Sequence, residues 1–142
     1  MIEEVWKDIK GYEDLYQISN LGRVKSIRNN IIKKPSVLPK GYLQICLNKK
    51  GKSKYVSIHR LVAQAFIPNQ NNLPCVNHKD CNPQNNNVSN LEWISYKDNN
   101  NYKNHHLKRN VASVIYFLKR DYPNEKEIIE QMEEIKRKIK NL

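Results

Sequence analysis

The sequence predicts an α+β fold, with small antiparallel sheets at the N-terminal end, a polar segment in the middle and a helical tail. Three observations carry this. Short alternating apolar and polar runs, broken by Gly, Asn and Asp, extend from Trp6 to Ile58. The segment from Asn69 to Asn104 is about one-third asparagine. Beyond Leu107 the apolar residues recur at three- and four-residue spacing. A chain of 142 residues with four Gly and six Pro forms one compact domain, or two small modules sharing one core. The expected division is a basic β-rich module over 1–54, a second module over 55–104 and a helical hairpin over 105–142.

In chain order, Trp6-Lys7-Asp8-Ile9, Gly11-Tyr12 and Tyr16-Gln17-Ile18-Ser19-Asn20 read as short strands separated by turn residues. Asn20-Leu21-Gly22-Arg23 is a turn into Val24-Lys25-Ser26-Ile27-Arg28, where alternation suits a strand with one buried and one basic face. Tyr42–Leu47 and Tyr55–Ile58 flank Lys49-Lys50-Gly51-Lys52, a hairpin with a basic tip. His59 to Phe66 reads as a short helix presenting Leu61, Val62, Ala65 and Phe66, ended by Pro68. Trp6 and Trp93 are expected in the core. The asparagines after Asn69 read mostly as a polar loop or compositional bias, except where a site needs an amide.

Ser95 with Asp98 fits a capping box and starts a helix through Asn101, placing Asn99 in its first turn. Val111, Val114, Ile115 and Leu118 mark a further helix that Pro123 breaks. Asn124 with Glu127 caps the last one, whose Ile128, Met132, Ile135, Ile139 and Leu142 have heptad-like spacing. Glu133/Arg137 and Glu134/Lys138 are i,i+4 pairs on its polar face. Such a tail packs on the body or on a second subunit.

The formal charge is +11, unevenly placed. Met1 to Asp14 carries a net −3, Leu15 to Lys79 has twelve Lys/Arg and no acid, and Asp80 to Leu142 carries +2. A long acid-free basic stretch repels itself unless a polyanion neutralises it, so a phosphate backbone is the expected partner. No apolar run approaches the roughly 20 residues of a bilayer span, so no membrane is expected. The acids around Trp6 do not resemble a secretory signal. Cys46, Cys75 and Cys81 are odd in number and lack CxxC spacing, so reduced cytoplasmic thiols are expected and a structural zinc is not.

Val76-Asn77-His78-Lys79-Asp80, then Asn90-Leu91-Glu92-Trp93, then Asp98-Asn99-Asn100 are the residues that point to a reaction. Hydrolysing a phosphodiester takes an imidazole to accept a proton from water and a divalent ion to stabilise phosphate charge. His78 can be that base, Asn77 and Asn99 can offer amide oxygens to Mg²⁺ or Mn²⁺, and Asn90 can hydrogen-bond the loop into shape. Asp80 is a substitute ligand. A histidine in a polar loop is otherwise a surface or structural residue. His59 is expected to pack or bond locally at its helix start, and His105 and His106 to be solvated.

The run from Trp6-Lys7-Asp8-Ile9 to Asn20-Leu21-Gly22-Arg23-Val24 resembles the module that opens many phage and intron-encoded HNH endonucleases. His59-Arg60-Leu61-Val62-Ala63, Val76-Asn77-His78-Lys79-Asp80, Asn82, Asn86 and Asn90-Leu91-Glu92-Trp93 resemble their HNH module. Together these cover residues 5 to 101. The resemblance implies a ββα-metal fold in which a hairpin and a helix enclose one Mg²⁺ or Mn²⁺. It implies His78 as general base, Asn90 as loop clamp, and Asn77 and Asn99 as metal ligands. Asn77 stands where active relatives often have aspartate, which implies weaker metal binding or a preference for Mn²⁺. The helix-turn-helix that often ends intron-encoded relatives has no obvious counterpart after Leu107.

The expected activity is therefore a metal-dependent endonuclease of double-stranded DNA in a bacterial or phage-infected cell. It would nick as a monomer, or cut both strands as a homodimer through the C-terminal helices. Arg23, Lys25, Arg28, Lys33, Lys34, Lys49, Lys50, Lys52 and Lys54 are expected to grip DNA, joined by His59 and Arg60. The alternative is an inactive HNH-fold DNA-binding protein acting as a regulator or accessory subunit.

Overall fold

The computed structural model describes residues 3–140, apart from the side chains of 102–109, 113, 117, 120, 121 and 140. Leu142 and the side chains of His105 and His106 lie outside the described residues. The chain divides into two compact units, Met1–Ser95 and Tyr96–Leu142.

In the first unit, β1 (Trp6–Asp8), β2 (Tyr16–Ser19), β3 (Val24–Ser26) and β4 (Ile31–Lys33) form an antiparallel sheet in that order. Gly11-Tyr12 is a turn rather than a strand. Gly11 and Asp14 take positive φ, and the Tyr12 amide donates to Ile9 O at 2.8 Å. Strand β4 was not foreseen, because its isoleucines point outward and are exposed. Asn30, at φ 54°, makes the tight turn into it.

A second sheet joins β5 (Ser36–Val37), also unforeseen, to β6 (Leu43–Lys49) and β7 (Lys52–Ser57). Lys49 faces Lys52 across the turn, and Lys50 and Gly51 both have positive φ, as a two-residue hairpin turn requires. Alternation holds on β6, where Ile45 and Leu47 are buried. The helix α1 (Ile58–Phe66) buries Ile58, Leu61, Val62 and Ala63, and Ile67 before Pro68 is extended, ending it.

One hydrophobic core joins Ile9 just after β1, Ile18 and Val24 of the first sheet, Ile45 and Leu47 of the second, Leu61 and Val62 of α1, and Leu91. The expected boundary at 54 thus falls inside β7, within a single core. Trp6 and Trp93, expected in the core, are both half-buried instead. Trp6 sits on the sheet surface, with Lys25 Nζ 4.5 Å from its ring centroid.

The unit closes with a hairpin of β8 (Cys75–His78) and β9 (Leu91–Ile94), the latter entered through a 3₁₀ turn at Val88–Asn90. No disulfide joins Cys46, Cys75 or Cys81.

The second unit is a helical hairpin of α2 (Tyr96–Asp121) and α3 (Lys126–Lys140). The two expected helices before Pro123 are one, so the boundary expected at 104/105 falls inside α2. Val111, Ile115 and Ile139 are buried with Met132 against them, whereas Ile128 and Ile135 are exposed, so only part of the heptad-like face is used here. Glu134 pairs with Lys138 at 2.8 Å, as expected. Glu133 pairs across the hairpin with Lys119 at 3.0 Å, and with Lys136 at 3.9 Å, rather than with Arg137. Among the described residues no helix is long and apolar enough to cross a membrane.

Candidate active site

His78 ends β8 and is only 5% exposed. Its register partner is Leu91, a core residue, so the hairpin is tied to the core at this point. The loop after it returns through hydrogen bonds from the Lys79 amide to Asn90 O (2.8 Å) and from the Cys81 amide to His78 O (2.9 Å). Cys81 has φ +60°, a left-handed turn conformation.

Asparagines build this loop. The buried Asn90 accepts from the Asp80 amide at 3.1 Å, and its Nδ2 donates to Asp80 Oδ1 at 2.9 Å and to Asn85 O at 2.8 Å. Asp80 also accepts from the Asn82 amide at 2.8 Å and from Asn85 Nδ2 at 2.7 Å. The Asn82 amide and the Asn85 and Asn90 side-chain amides together hold the Asp80 carboxyl below its ordinary value. Those oxygens are engaged by the loop itself. Asn82 accepts from the Gln84 amide and Asn87 from the Ser89 amide, both at 3.1 Å. These asparagines lie in a polar loop, as expected, and their amides build it: short amide side chains replace backbone pairing that a tight loop cannot supply.

Three further residues enclose His78. Asn86, 3% exposed, sets its Oδ1 3.1 Å from His78 Nε2. His59 lies edge-on, with ring centroids 5.3 Å apart, and Tyr42 contacts both rings at 5.3 and 5.9 Å. His59, expected on the DNA-binding surface, is thus buried beside His78 because it begins α1 on its core side. Burial above all, then His78 and Arg60, pushes its pKa down to about 4, and its buried Nδ1 has no hydrogen-bond partner among the described residues. It is a neutral wall of the site at pH 7.

Asn77 is buried and faces Glu92 across the hairpin, donating from Nδ2 to Oε1 at 2.8 Å. This fixes the amide, leaving Oδ1 as the atom able to hold a cation, with the Glu92 carboxylate beside it. Such hard oxygen donors fit Mg²⁺ or Mn²⁺. Among the described residues no cluster of three or more His, Cys, Asp or Glu could hold a metal, so amide oxygens are the donors to consider. Asn99 is half-buried in the first turn of α2, in the second unit.

Of the basic residues expected to meet DNA, Arg23, Arg28, Lys34, Lys49, Lys50, Lys52, Lys54 and Arg60 are exposed, and Lys25 and Lys33 are half-buried. Arg23 pairs with Glu4, Lys49 donates to Gly11 O, and Arg60 donates to Pro74 O at 3.1 Å. Lys33 Nζ is 5.5 Å from the Tyr16 ring centroid. A cleft of about 470 Å³ has Arg23, Lys33 and Lys34 along one part of its lining and Gln84 and Asn86 along another. Cationic surface therefore reaches the residue that touches His78.

The sequence reading missed Asn86, Glu92 and Tyr42 as neighbours of the site. Glu92 was findable: a hairpin that closes His78 on Leu91 necessarily sets Asn77 opposite Glu92. Tyr42 lies in a separate sheet region and carries no such signal.

A family profile described as the NUMOD4 motif matches residues 4–48. DNA endonuclease I-HmuI of Bacillus phage SP01 is 46% identical over 94 residues, covering 66% of this chain and 54% of that protein. An uncharacterized HNH endonuclease of Acanthamoeba polyphaga mimivirus is 46% identical over 104 residues, covering 73% of this chain and 30% of that protein. A solved structure described as DNA binding and cleavage by the HNH homing endonuclease I-HmuI is 40% identical, with a TM-score of 0.68. That match covers 81% of this chain and 66% of the solved one. The chain thus spans about half the length of the phage relative and about a third of the viral one.

Proposed function

The chain belongs to the HNH homing endonuclease family, and from that premise we propose that it is a metal-dependent endonuclease hydrolysing phosphodiester bonds of double-stranded DNA. The observation that carries this reading is a buried imidazole, His78, in a loop clasped by Asn90, beside a cleft with a cationic lining. His78 takes a proton from a water aligned behind phosphorus. As the water oxygen bonds to phosphorus the bond to the 3′ oxygen breaks, and that oxygen takes a proton from solvent, giving 5′-phosphate and 3′-hydroxyl ends. When bound, a divalent cation, Mg²⁺ or Mn²⁺, stabilises charge on the phosphate and the leaving oxygen. Asn77 would hold it through its amide oxygen Oδ1, the atom its bond to Glu92 leaves open. Asn90 keeps the loop in shape. The neutral His59 packs against the base without adding a positive charge that would oppose proton uptake. Exposed cations at Arg28, Lys50, Lys52 and Lys54 bind phosphates along the duplex, and one site per chain nicks one strand.

The test is conversion of supercoiled plasmid to open circle with Mg²⁺ or Mn²⁺, comparing the native protein with His78→Ala. Product from the native protein alone is expected. Equal product from both would remove His78 from the role, and DNA binding without product from either would favour a regulator or accessory subunit.

A further inference from the structure

We propose that Asn86 is a positioning residue that fixes His78 in the tautomer protonated on Nε2, and that the Gly22 turn of the first sheet braces Asn86 for this task. The proposal rests on His78 being the general base, since it specifies which ring nitrogen receives the proton.

The amide orientation of Asn86 follows from its two contacts. Its Nδ2 donates to Gln84 O at 3.1 Å, so Oδ1 is the atom 3.1 Å from His78 Nε2. Turned over, the amide would set its oxygen against the Gln84 carbonyl, two acceptors facing each other. An amide oxygen only accepts, so Nε2 must carry the hydrogen, and in the neutral ring Nδ1 is then the basic nitrogen. At 3% exposure, water does not readily replace this partner.

Asn86 itself is held from outside the hairpin. Gly22 has φ +82°, and a Cβ there would stand 2.8 Å from Asn86 Cβ and 3.2 Å from its carbonyl oxygen. The same turn accepts a hydrogen bond from the Val88 amide through Asn20 O at 2.8 Å. The Asn20 side chain is tied in turn to the Val5 amide (2.9 Å) and Glu3 O (3.0 Å). The N-terminal sheet is therefore more than a DNA grip. It forms the back wall of the residue that orients the base.

The experiment combines ring ¹⁵N spectra of His78 in the full chain, at pH 8.5 without added metal, with steady-state nicking. The native protein should show the Nε2–H form, and Asn86→Ala a mixture of both tautomers. In Asn86→Ala kcat should fall about 10- to 100-fold while KM for DNA stays within about twofold. Asn86→Asp, which keeps the acceptor toward Nε2 but sets a second oxygen against Gln84 O, should retain the Nε2–H form. Gly22→Ala should displace Asn86 and lower kcat in the same manner. A native spectrum of the Nδ1–H form overturns the proposal even if Asn86→Ala fails to fold. So does an unchanged tautomer and kcat in a folded Asn86→Ala. Unchanged kcat in Gly22→Ala overturns the bracing role. If the native protein does not nick, the spectra still decide the role of Asn86, so the two readings fail separately.

Discussion

The two hairpins of the first unit treat their polar side chains in opposite ways. In the loop joining β8 to β9, Asp80, Asn82, Asn85, Asn86, Asn87 and Asn90 are all committed to partners within the same loop. At the β6–β7 tip, the side chains of Lys50, Lys52 and Lys54 are exposed and make no hydrogen bond or ion pair among the described residues. The first stores geometry: its hydrogen bonds determine where one imidazole points. The second stores charge, which needs no fixed shape to attract a phosphate backbone. Substitutions in the first should therefore change folding and turnover together, and substitutions in the second should change binding and its salt dependence alone.

The largest effect that would test this contrast is at Asn90. Asn90→Ala removes two donated bonds and one accepted bond and leaves Asn85 O without its partner. With each of the three bonds contributing about 1 kcal/mol net, unfolding free energy should fall by about 3 kcal/mol. Nicking should be lost, with DNA affinity and its salt slope held by the basic tip. Urea unfolding and a binding isotherm measure both. A loss under 1 kcal/mol would mean that the loop does not depend on its amides.

A smaller effect is expected from pH. His59 is held at about 4 chiefly by burial, below the free imidazole value of 6.5, so the unfolded chain binds the extra proton between those values. Its contribution to stability is complete above about pH 6.5 and is lost as pH falls towards 4. Between pH 7 and pH 5 this amounts to about 2 kcal/mol. His59→Phe should flatten that part of the stability–pH curve, measured by urea unfolding at the two pH values. The same slope in the variant would assign it to another group.

The same contrast explains what could be read in the sequence. The hairpin tip was legible because strand alternation and a Lys-Gly turn are local patterns. His78, Asn77 and Asn90 stood out through their spacing, and the helix α1 through its apolar face. Strands β4 and β5 were not legible: they are two or three residues long, and Ile31, Ile32 and Val37 face outward, so no alternation marks them. Asn86 was named in the resemblance to the HNH module but given no role, since its contact with His78 depends on how the loop folds and its bracing on Gly22, far away in the chain. His59 packs at its helix start, as expected, but is buried against His78 instead of lying on the DNA-binding surface, because a histidine at a helix start looks the same whether it faces solvent or another ring.

The smallest effect belongs to the tip, and it separates charge from shape most cleanly. Lys50, Lys52 and Lys54 lack internal partners, so replacing all three by Ala should leave unfolding free energy within about 0.5 kcal/mol. If each meets a phosphate, the slope of log affinity against log salt should fall by about 0.9 for each lysine removed, on any duplex sequence. Turnover at saturating DNA should not change, because none of the three touches the His78 loop. Arg23→Ala offers the internal comparison. Its guanidinium is already paired with Glu4, so DNA must compete with an existing carboxylate, and the loss of slope should be smaller than for one tip lysine. An equal or larger loss at Arg23 would mean that Glu4 yields to DNA, and that the cationic lining of the cleft beside Asn86, rather than the hairpin tip, carries the grip.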